Sequence, residues 1–300
     1  MRPAGEARIT LVRVIDLHSH SSFSDGSESP ERVIELASDA GCTAVALTDH
    51  DSTDGVARAA ARAAQVGIRF ISGCEVSCAY SPGTMHVLCY IVTGTDSPLQ
   101  AELTRLREDR ELRNERMATR LADIGLPITY DEVVEEAGGV GVGRPHFAAV
   151  LKRKGVVSSI QEAFDSYLAK GTPGYVSKAR IEIETVIDVA RRSGGVASLA
   201  HPLSLGLERQ SLAVELGRLA EIGLTGVECY YGRYDPDTRS ELARLASRLG
   251  LVATGGSDFH GTYKPDLSMG VGTGDLSVPD GVVEELEARR PSPSGGGASS

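Results

Sequence analysis

Residues 14–26 read VIDLHSHSSFSDG, and this stretch carries the pattern that decides the fold. A short apolar run ends here in two histidines, His18 and His20, which are two residues apart. Side chains along a strand alternate between its two faces, so both imidazoles point to the same side. Apolar runs that end in polar residues recur along the chain, which predicts a sheet whose strand ends collect histidines.

Seven apolar, β-rich runs are predicted to be strands. They lie at residues 12–17, 44–47, 69–72, 86–92, 196–200, 226–230 and 251–254. Helical patterns separate many of them, and one of these opens at Ser29, which can cap a helix, followed by Pro30, which suits the first turn. Strands that alternate with helices imply parallel strands, and about seven of them indicate a barrel of the α/β class.

The middle of the chain has a different pattern, helical and rich in charge. Apolar residues at helical spacing predict a long helix or a helix pair: Leu99, Leu103, Leu106, Met117 and Leu121. Thr129 and Glu132 have the spacing of a capping box, and further helices are expected at 145–154 and 160–170. We expect the alternating charges of residues 105–120 to form a solvated helix face.

These patterns predict a discontinuous domain organisation. Residues 1–95 and 179–290 are expected to form the barrel, with residues 96–178 inserted between its fourth and fifth strands as a helical lid. The last stretch, residues 291–300, is low in complexity and is predicted to be disordered.

Composition narrows the classes of function. The formal net charge of −10 argues against broad contact with a nucleic-acid duplex, which requires an extended basic surface. No run of about 18 apolar residues is present, so no membrane span is predicted. The N-terminus lacks an apolar signal core, and the five cysteines are interpreted as reduced core thiols. We therefore expect a cytoplasmic protein.

Six of the seven histidines lie at or beside predicted strand ends, with His86 opening its strand: His18, His20, His50, His86, His201 and His260. Parallel barrels build their active sites at the face where strands end. Imidazoles and carboxylates together are typical metal ligands, so Asp25, Glu75 and Asp258 join the set as candidates. Mixed nitrogen and oxygen ligands suit Mn²⁺, Fe²⁺ or Zn²⁺ better than Mg²⁺ or Ca²⁺.

The sequence resembles the PHP (polymerase and histidinol phosphatase) family. The matching motifs are DLHSHSSFSDG, ALTDHDS, GCE, MHVLCY, LAHP and GGSDFH, in order over both barrel halves. The resemblance implies a distorted (β/α)7 barrel with two or three divalent metal ions. It places the first metal on His18, His20, Glu75 and Asp258, the second on Glu75, His86 and His201, and the third on Asp25, His50 and His260.

The resemblance also implies a phosphoesterase in which Glu75, Asp258 and His260 are catalytic and two metals activate a bridging water. Asp25 stands where some relatives have histidine. Asp16 and Asp49 are expected to orient ligand imidazoles or to shape the loops.

The helical insertion, with its motifs GRPHFA and YLAKG, is similar to the nucleotide phosphatase branch of the family. A 3′,5′-nucleotide bisphosphate is the implied substrate, with three alternatives: a 5′→3′ exonuclease on short 5′-phosphorylated RNA, a histidinol-phosphate phosphatase, or a non-catalytic module that binds metal or nucleic acid. The expected partner is a small phosphorylated nucleotide or a short oligonucleotide.

Three residues of the insertion are candidates for substrate binding. Arg144 follows a glycine-rich run at a predicted helix start, which suits a phosphate. His146 and Lys170 are close to it in sequence. Two of these residues have an alternative interpretation: Arg144 as a partner in a surface salt bridge, and His146 as a structural residue.

Overall fold

Seven strands form one sheet in the order of the chain. They are β1 (Val14–Asp16), β2 (Cys42–Leu47), β3 (Arg69–Cys78), β4 (Met85–Tyr90), β5 (Val196–Leu199), β6 (Gly226–Tyr231) and β7 (Val252–Gly256). The computed structural model describes residues 14–92, 97–138, 141–177 and 180–291. The Leu17 amide donates to the carbonyl oxygen of Gly255 at 3.1 Å, and Ser19 bridges to Phe259, so the first and last strands nearly close a barrel.

One strand runs against the others. β4 pairs antiparallel with both β3 and β5, whereas the other neighbouring pairs are parallel. The prediction of uniformly parallel strands is therefore wrong for β4. No helix separates β3 from β4, so the chain turns straight back and the start of β4 lies at the same end of the barrel as the ends of its neighbours.

Ten α-helices are described. They are α1 (Pro30–Asp39), α2 (Val56–Val66), α3 (Pro98–Asp123), α4 (Tyr130–Glu136), α5 (Arg144–Arg153), α6 (Ile160–Ala163), α7 (Ile183–Arg192), α8 (Arg209–Glu221), α9 (Pro236–Arg248) and α10 (Val282–Ala288). The Ser29 side chain caps α1 as predicted, and the capping box at Thr129 and Glu132 begins α4. None of the described helices is both long and apolar enough to cross a membrane.

Helix α3 links two hydrophobic cores. Its first half, including Leu99, Leu103 and Leu106, packs in the core that joins α7 and α8 to the barrel strands. Its second half, including Met117 and Leu121, packs in a separate core with α4, α5 and α6. The predicted apolar stripe thus belongs to one continuous helix that holds the inserted helices on the barrel.

Inside the sheet, a further core joins buried residues of six strands to helix α10. Tyr90 is fully buried there, and its hydroxyl donates to the carbonyl oxygen of Leu17 at 2.9 Å. All five cysteines are buried and free of disulfides, as predicted. The predicted disordered tail lies outside the described residues except for Pro291, and the predicted domain boundaries stay a prediction.

Candidate metal centre

Every strand of the barrel brings a polar side chain to the same end. They are His18 and His20 after β1, His50 after β2, Glu75 on β3, His86 on β4, His201 after β5, Glu228 on β6, and Asp258 and His260 after β7. β3 extends beyond its predicted end at Ser72, so Glu75 lies within a strand and not after it. Because β4 is antiparallel, a histidine that opens this strand reaches the same end as histidines that close the others.

Glu75 lies at the centre of this cluster and is 1% exposed. Its Oε2 atom is 3.2–3.3 Å from three imidazole nitrogens, those of His18, His20 and His50. Its Oε1 atom is 2.9 Å from His86 Nδ1 and 3.0 Å from His201 Nε2. The two oxygens face different sets of imidazoles, which is the geometry of a carboxylate that can bridge two cations.

Two aspartates complete the cluster from other loops. Asp258 Oδ1 lies 3.5 Å from the Nε2 atoms of both His18 and His20. Asp25, in the loop between β1 and α1, places Oδ1 3.2 Å from His260 Nε2 and Oδ2 3.8 Å from His50 Nε2. All nine residues predicted as metal ligands are therefore brought together at one end of the barrel.

Four buried polar atoms of this cluster have no hydrogen-bond partner among the described residues. They are His18 Nε2, His20 Nε2, His50 Nδ1 and Asp25 Oδ1. A buried polar atom without a partner costs free energy, and such atoms are rare in native proteins. Imidazole nitrogens and carboxylate oxygens that converge without hydrogen bonding fit divalent cations, which take these atoms as ligands.

Donor atoms within 4.8 Å of one another form three groups. The groups are His18 with His20 and Glu75; His50 with Glu75 and His86; and His20 with Asp25, His50 and His260. The second and third groups differ from the predicted division, because His20 and His50 each lie between two groups. His201 and Asp258 join through the contacts with Glu75, His18 and His20 described above.

The cluster keeps its carboxylates ionised. Burial raises the pKa of Glu75, but the surrounding imidazoles, His50 and His86 first, outweigh burial and hold this pKa well below its usual range. Burial also raises the pKa of Asp258, but the charges of Lys264 and His260 outweigh burial and hold this pKa well below its usual range. Both carboxylates are therefore anionic near neutral pH and are competent metal ligands.

Glu228 is a residue of the site that the sequence analysis missed. It is fully buried on β6, and its Oε1 accepts a hydrogen bond from His18 Nδ1 at 2.8 Å. Its Oε2 accepts from the backbone amide of His201 at 2.7 Å. By holding Nδ1 of His18, Glu228 directs Nε2 of that ring towards the cluster, as carboxylates behind metal-bound histidines do. A lone acidic residue inside an apolar strand was the signal that could have revealed it.

A cavity of about 510 Å³ opens beside the cluster. Its walls include four candidate ligands, Asp25, His50, His86 and His260. Facing them are six cationic side chains, Arg110, Arg113, Arg144, Lys170, Arg180 and Lys264. All but Lys264 come from the chain between β4 and β5, so this segment presents a positive wall to the metal cluster.

The candidate substrate residues fall in two different places. Arg144 and Lys170 both line this cavity. The guanidinium of Arg144 lies 5.6 Å from the centre of the Phe164 ring. His146 is 1% exposed, and its Nδ1 accepts from the amide of Gly143 at 2.9 Å, so it caps the start of α5. Its geometry is that of a structural residue.

The prediction of a solvated arginine face on α3 is wrong at two positions. Arg110 is 7% exposed and Arg113 is 5% exposed, whereas Arg116 lies on the exposed side of the helix. Arg110 forms an ion pair with the buried Asp51. The charge pattern of the helix did not reveal this, because only the middle of its inner face, between the two apolar cores, contacts a polar cavity.

Comparisons with known proteins identify the family to which this chain belongs. The family model described as PHP domain matches residues 16–135. A 3′,5′-nucleoside bisphosphate phosphatase of Chromobacterium violaceum is 35% identical, over 92% of this chain and 97% of its own. The 5′-3′ exoribonuclease Rnm of Escherichia coli is also 35% identical, over 82% of this chain and 85% of its own. The chain belongs to the PHP family.

A solved structure supports the fold of this PHP protein over nearly its whole length. A Bifidobacterium adolescentis protein, provisionally named a metal-dependent phosphoesterase, superposes with a TM-score of 0.83 at 29% identity. The match covers 93% of this chain and 97% of the other. The chain is therefore a phosphoester hydrolase with a divalent metal centre, built on a nearly closed PHP barrel.

Two aspartates of the PHP motifs hold the loops rather than the imidazoles. Asp16 Oδ1 accepts from the amides of His18 and Ser257, and its Oδ2 accepts from Gly270. Asp49 accepts from Ser21 and from the Ser24 hydroxyl. Of the two roles predicted for these aspartates, the structure shows the shaping of loops.

Backbone strain is concentrated at the metal centre of this PHP protein. His201 has φ of 26° and Asp258 has φ of 57°, in a region that non-glycine residues rarely adopt. Gly256 lies so close to β1 that a Cβ atom would be 2.3 Å from the His18 amide nitrogen. Such conformations persist only where the surrounding contacts impose them, as they do around functional sites.

Proposed function

We propose that this chain hydrolyses the 3′-phosphomonoester of a 3′,5′-nucleoside bisphosphate and releases phosphate and a nucleoside 5′-monophosphate. The observation that carries the proposal is the single cavity shared by the metal cluster and a cationic wall. A monophosphate would need only the metal cluster, whereas a substrate with two phosphoryl groups also needs cations at a distance from it. The Chromobacterium violaceum relative carries the name of this activity.

In this proposal, three ions are held by the nine clustered ligands. Glu75 would contribute ligand atoms to the first two, because its oxygens face separate sets of imidazoles. Asp25, His50 and His260 hold the third. The mixture of nitrogen and oxygen ligands favours Mn²⁺, Fe²⁺ or Zn²⁺. Divalent ions held there would supply a coordinated water of lowered pKa and would polarise the phosphoryl oxygens.

The side chains around the ligands prepare this chemistry. His260 Nδ1 donates to the carbonyl oxygen of Asp258 at 2.8 Å, so its Nε2 carries the lone pair that faces Asp25. Asp258 Oδ2 accepts from the Tyr231 hydroxyl at 2.9 Å and from Lys264 Nζ at 2.6 Å, which leaves Oδ1 towards the histidines. We assign Glu75, Asp258 and His260 as the catalytic set.

The inserted helices bind the substrate in this proposal. Arg144 and Lys170 line the cavity. In the proposal, their side chains contact the phosphates of the substrate. Arg144 begins helix α5, where backbone amides also favour an anion. His146 supports Arg144 indirectly, because it caps the same turn.

A second candidate activity is 5′→3′ cleavage of short 5′-phosphorylated RNA. The similarity to the Escherichia coli exoribonuclease supports it at the same identity as the bisphosphate phosphatase. The net charge of −10 limits such a substrate to a short segment inside the cavity. The two activities would use the same metal centre and differ in the ester that lies against it.

A product screen on the Mn²⁺-loaded protein, which measures both released phosphate and released mononucleotides, tests the proposal. The substrates are adenosine 3′,5′-bisphosphate, adenosine 5′-monophosphate, histidinol phosphate and a 5′-phosphorylated trinucleotide. We expect the highest kcat/KM for the bisphosphate, with the 5′-phosphate retained in the product. Faster release of mononucleotides from the trinucleotide would replace the proposed activity by the exonuclease.

A further inference from the structure

Arg113 is a buried cation that has no ion-pair partner among the described residues. It lies on α3, is 5% exposed, and forms no ion pair with any residue of the described segments. Its Nε atom has no hydrogen-bond partner there, and its one hydrogen-bonding contact is with the Met117 sulfur, at 4.0 Å. Burial, followed by the nearby Arg110 and Arg144 charges, lowers the pKa of Arg113 to about 9. The guanidinium thus remains charged at neutral pH in a place that disfavours charge.

The neighbouring arginine on the same helix shows what a structural pairing looks like here. Arg110 forms an ion pair with the buried Asp51, which also accepts from the amide of Ser77 at 2.9 Å. Arg113, one turn further along, forms no ion pair with a carboxylate of the segments that the structure describes. An uncompensated buried charge destabilises a fold unless something else neutralises it. Because Arg113 lines the cavity, the compensating group can come from a ligand.

We propose that Arg113 forms, with Arg144, a second anion site that binds the phosphoryl group of the substrate that does not react. This inference rests on the proposed function, in which the metal cluster holds the reacting phosphate. A guanidinium suits this task because its planar donors match two phosphate oxygens. Arg113 is then a residue that determines specificity for a substrate with a second, terminal phosphoryl group.

If Arg113 belongs to an anion site, its unneutralised charge should destabilise the folded protein when no anion is bound. Arg113→Met keeps an unbranched side chain of comparable length and removes the charge. We expect its melting temperature, measured without ligand, to equal or exceed that of the unaltered protein. Arg116→Gln, an exposed arginine of the same helix, is the matched control and should leave the melting temperature unchanged. A lower melting temperature for Arg113→Met would show that the arginine serves the fold and would overturn the proposal.

Calorimetric titration of the Mn²⁺-loaded protein separates the two anion sites without turnover. The probes are adenosine 5′-monophosphate, adenosine and inorganic phosphate. For Arg113→Met we expect a Kd for adenosine 5′-monophosphate that is about 10- to 100-fold higher, with the Kd for inorganic phosphate within about twofold. Arg113→Lys should recover part of the affinity, because it restores the charge but not the fork.

The other outcomes contradict the inference in distinct ways. Equal weakening of both anions would place Arg113 at the metal centre, and no weakening of either would leave it outside substrate binding. If the unaltered protein hydrolyses p-nitrophenyl phosphate but no 3′,5′-bisphosphate, the proposed function fails while the calorimetric contrast still decides the role of Arg113.

The terminal phosphate could belong to a mononucleotide or to the 5′ end of a short RNA. A dinucleotide with a 5′-phosphate and one with a 5′-hydroxyl distinguish these sources. If Arg113→Met weakens the phosphorylated dinucleotide alone, the site also accepts an RNA end. If it weakens adenosine 5′-monophosphate but neither dinucleotide, the site is restricted to mononucleotides.

Discussion

The barrel and the inserted helices contribute opposite charges to the same cavity, and they do so in different ways. The barrel side is a set of acidic and imidazole groups fixed by short motifs at strand ends. The other side, from the chain between β4 and β5, is a set of four arginines and one lysine spread over 71 positions, from Arg110 to Arg180. In the proposed function, the barrel carries the reaction chemistry and the chain between β4 and β5 selects the substrate. Substitutions on the two sides should therefore have separable effects.

The largest expected effect is on the barrel side, at Glu75. Glu75→Ala removes the carboxylate that faces both sets of imidazoles, so two metal positions lose a ligand at once. Loss of several kcal/mol of charge stabilisation predicts at least a roughly thousandfold fall in kcat. Metal content, measured by elemental analysis, should fall with it. Glu135→Ala, at an exposed position on α4, should change neither quantity.

Unchanged metal content in Glu75→Ala would refute the bridging role. If the metal content falls by one ion only, Glu75 serves a single position, and the division of the ligands into groups must be redrawn.

A substitution at Glu228 tests whether the residues behind the metal cluster affect metal affinity. Glu228→Gln keeps the size of the side chain but weakens its hold on His18 Nδ1. Partners behind metal ligands typically contribute about 10- to 100-fold in metal affinity or activity. We expect an effect of that size on the Mn²⁺ concentration that gives half-maximal activity, with kcat largely restored by excess metal. Glu221→Gln, on the exposed end of α8, is the control. A loss of kcat that excess Mn²⁺ does not restore would indicate that Glu228 acts in the reaction itself.

A substitution at Arg144 tests whether the inserted helices select the substrate. Arg144→Ala should lower kcat/KM for adenosine 3′,5′-bisphosphate about 10- to 100-fold, because a charge-assisted hydrogen bond contributes about 1.5–3 kcal/mol. The same variant should hydrolyse p-nitrophenyl phosphate almost normally and keep its metal content. Arg153→Ala, on the exposed part of the same helix, is the matched control. Equal losses of kcat/KM on both substrates would mean that Arg144 serves the reaction chemistry. The roles of the two sides of the cavity would then not be separable.

The same contrast explains how much of the molecule could be predicted from its sequence. The residues of the candidate metal cluster could be picked out because His18, His50 and Asp258 lie in contiguous motifs at strand ends. The direction of β4 could not, because His86 looks the same on a parallel or an antiparallel strand. Glu228 was missed because its role depends on a contact with a residue 210 positions away.

On the helical side, the sequence predicted the helices well and the exposure of their charges poorly. The spacing of Leu99 to Leu121 located the apolar face of α3. Burial of Arg110 and Arg113 depends on where that helix crosses a polar cavity, which local periodicity does not encode. His146, at the start of α5, was predicted to bind substrate for its position in the sequence alone.

The predicted effect that is smallest at neutral pH concerns His146, because it appears only in acid. Burial lowers the pKa of His146 from 6.5 to about 4, so the folded protein holds this ring neutral while the unfolded chain protonates it. The unfolded state therefore binds more protons between these values. The contribution of the neutral His146 ring to the free energy of unfolding is complete above pH 6.5 and is lost as the pH falls towards 4. At pH 5 the loss amounts to about 2 kcal/mol of the free energy of unfolding, at 1.36 kcal/mol per pKa unit.

His146→Gln removes this titration while retaining a side-chain oxygen that can accept from the Gly143 amide. We expect the variant to lose less stability than the unaltered protein between pH 7.5 and pH 5, measured by urea unfolding of the metal-free proteins. Its kcat/KM for the bisphosphate at pH 7.5 should stay within about threefold, since the ring caps a helix and does not line the cavity. A parallel loss of stability in both proteins would mean that His146 does not titrate as its burial requires, and a large fall in kcat/KM would return it to the substrate-binding residues.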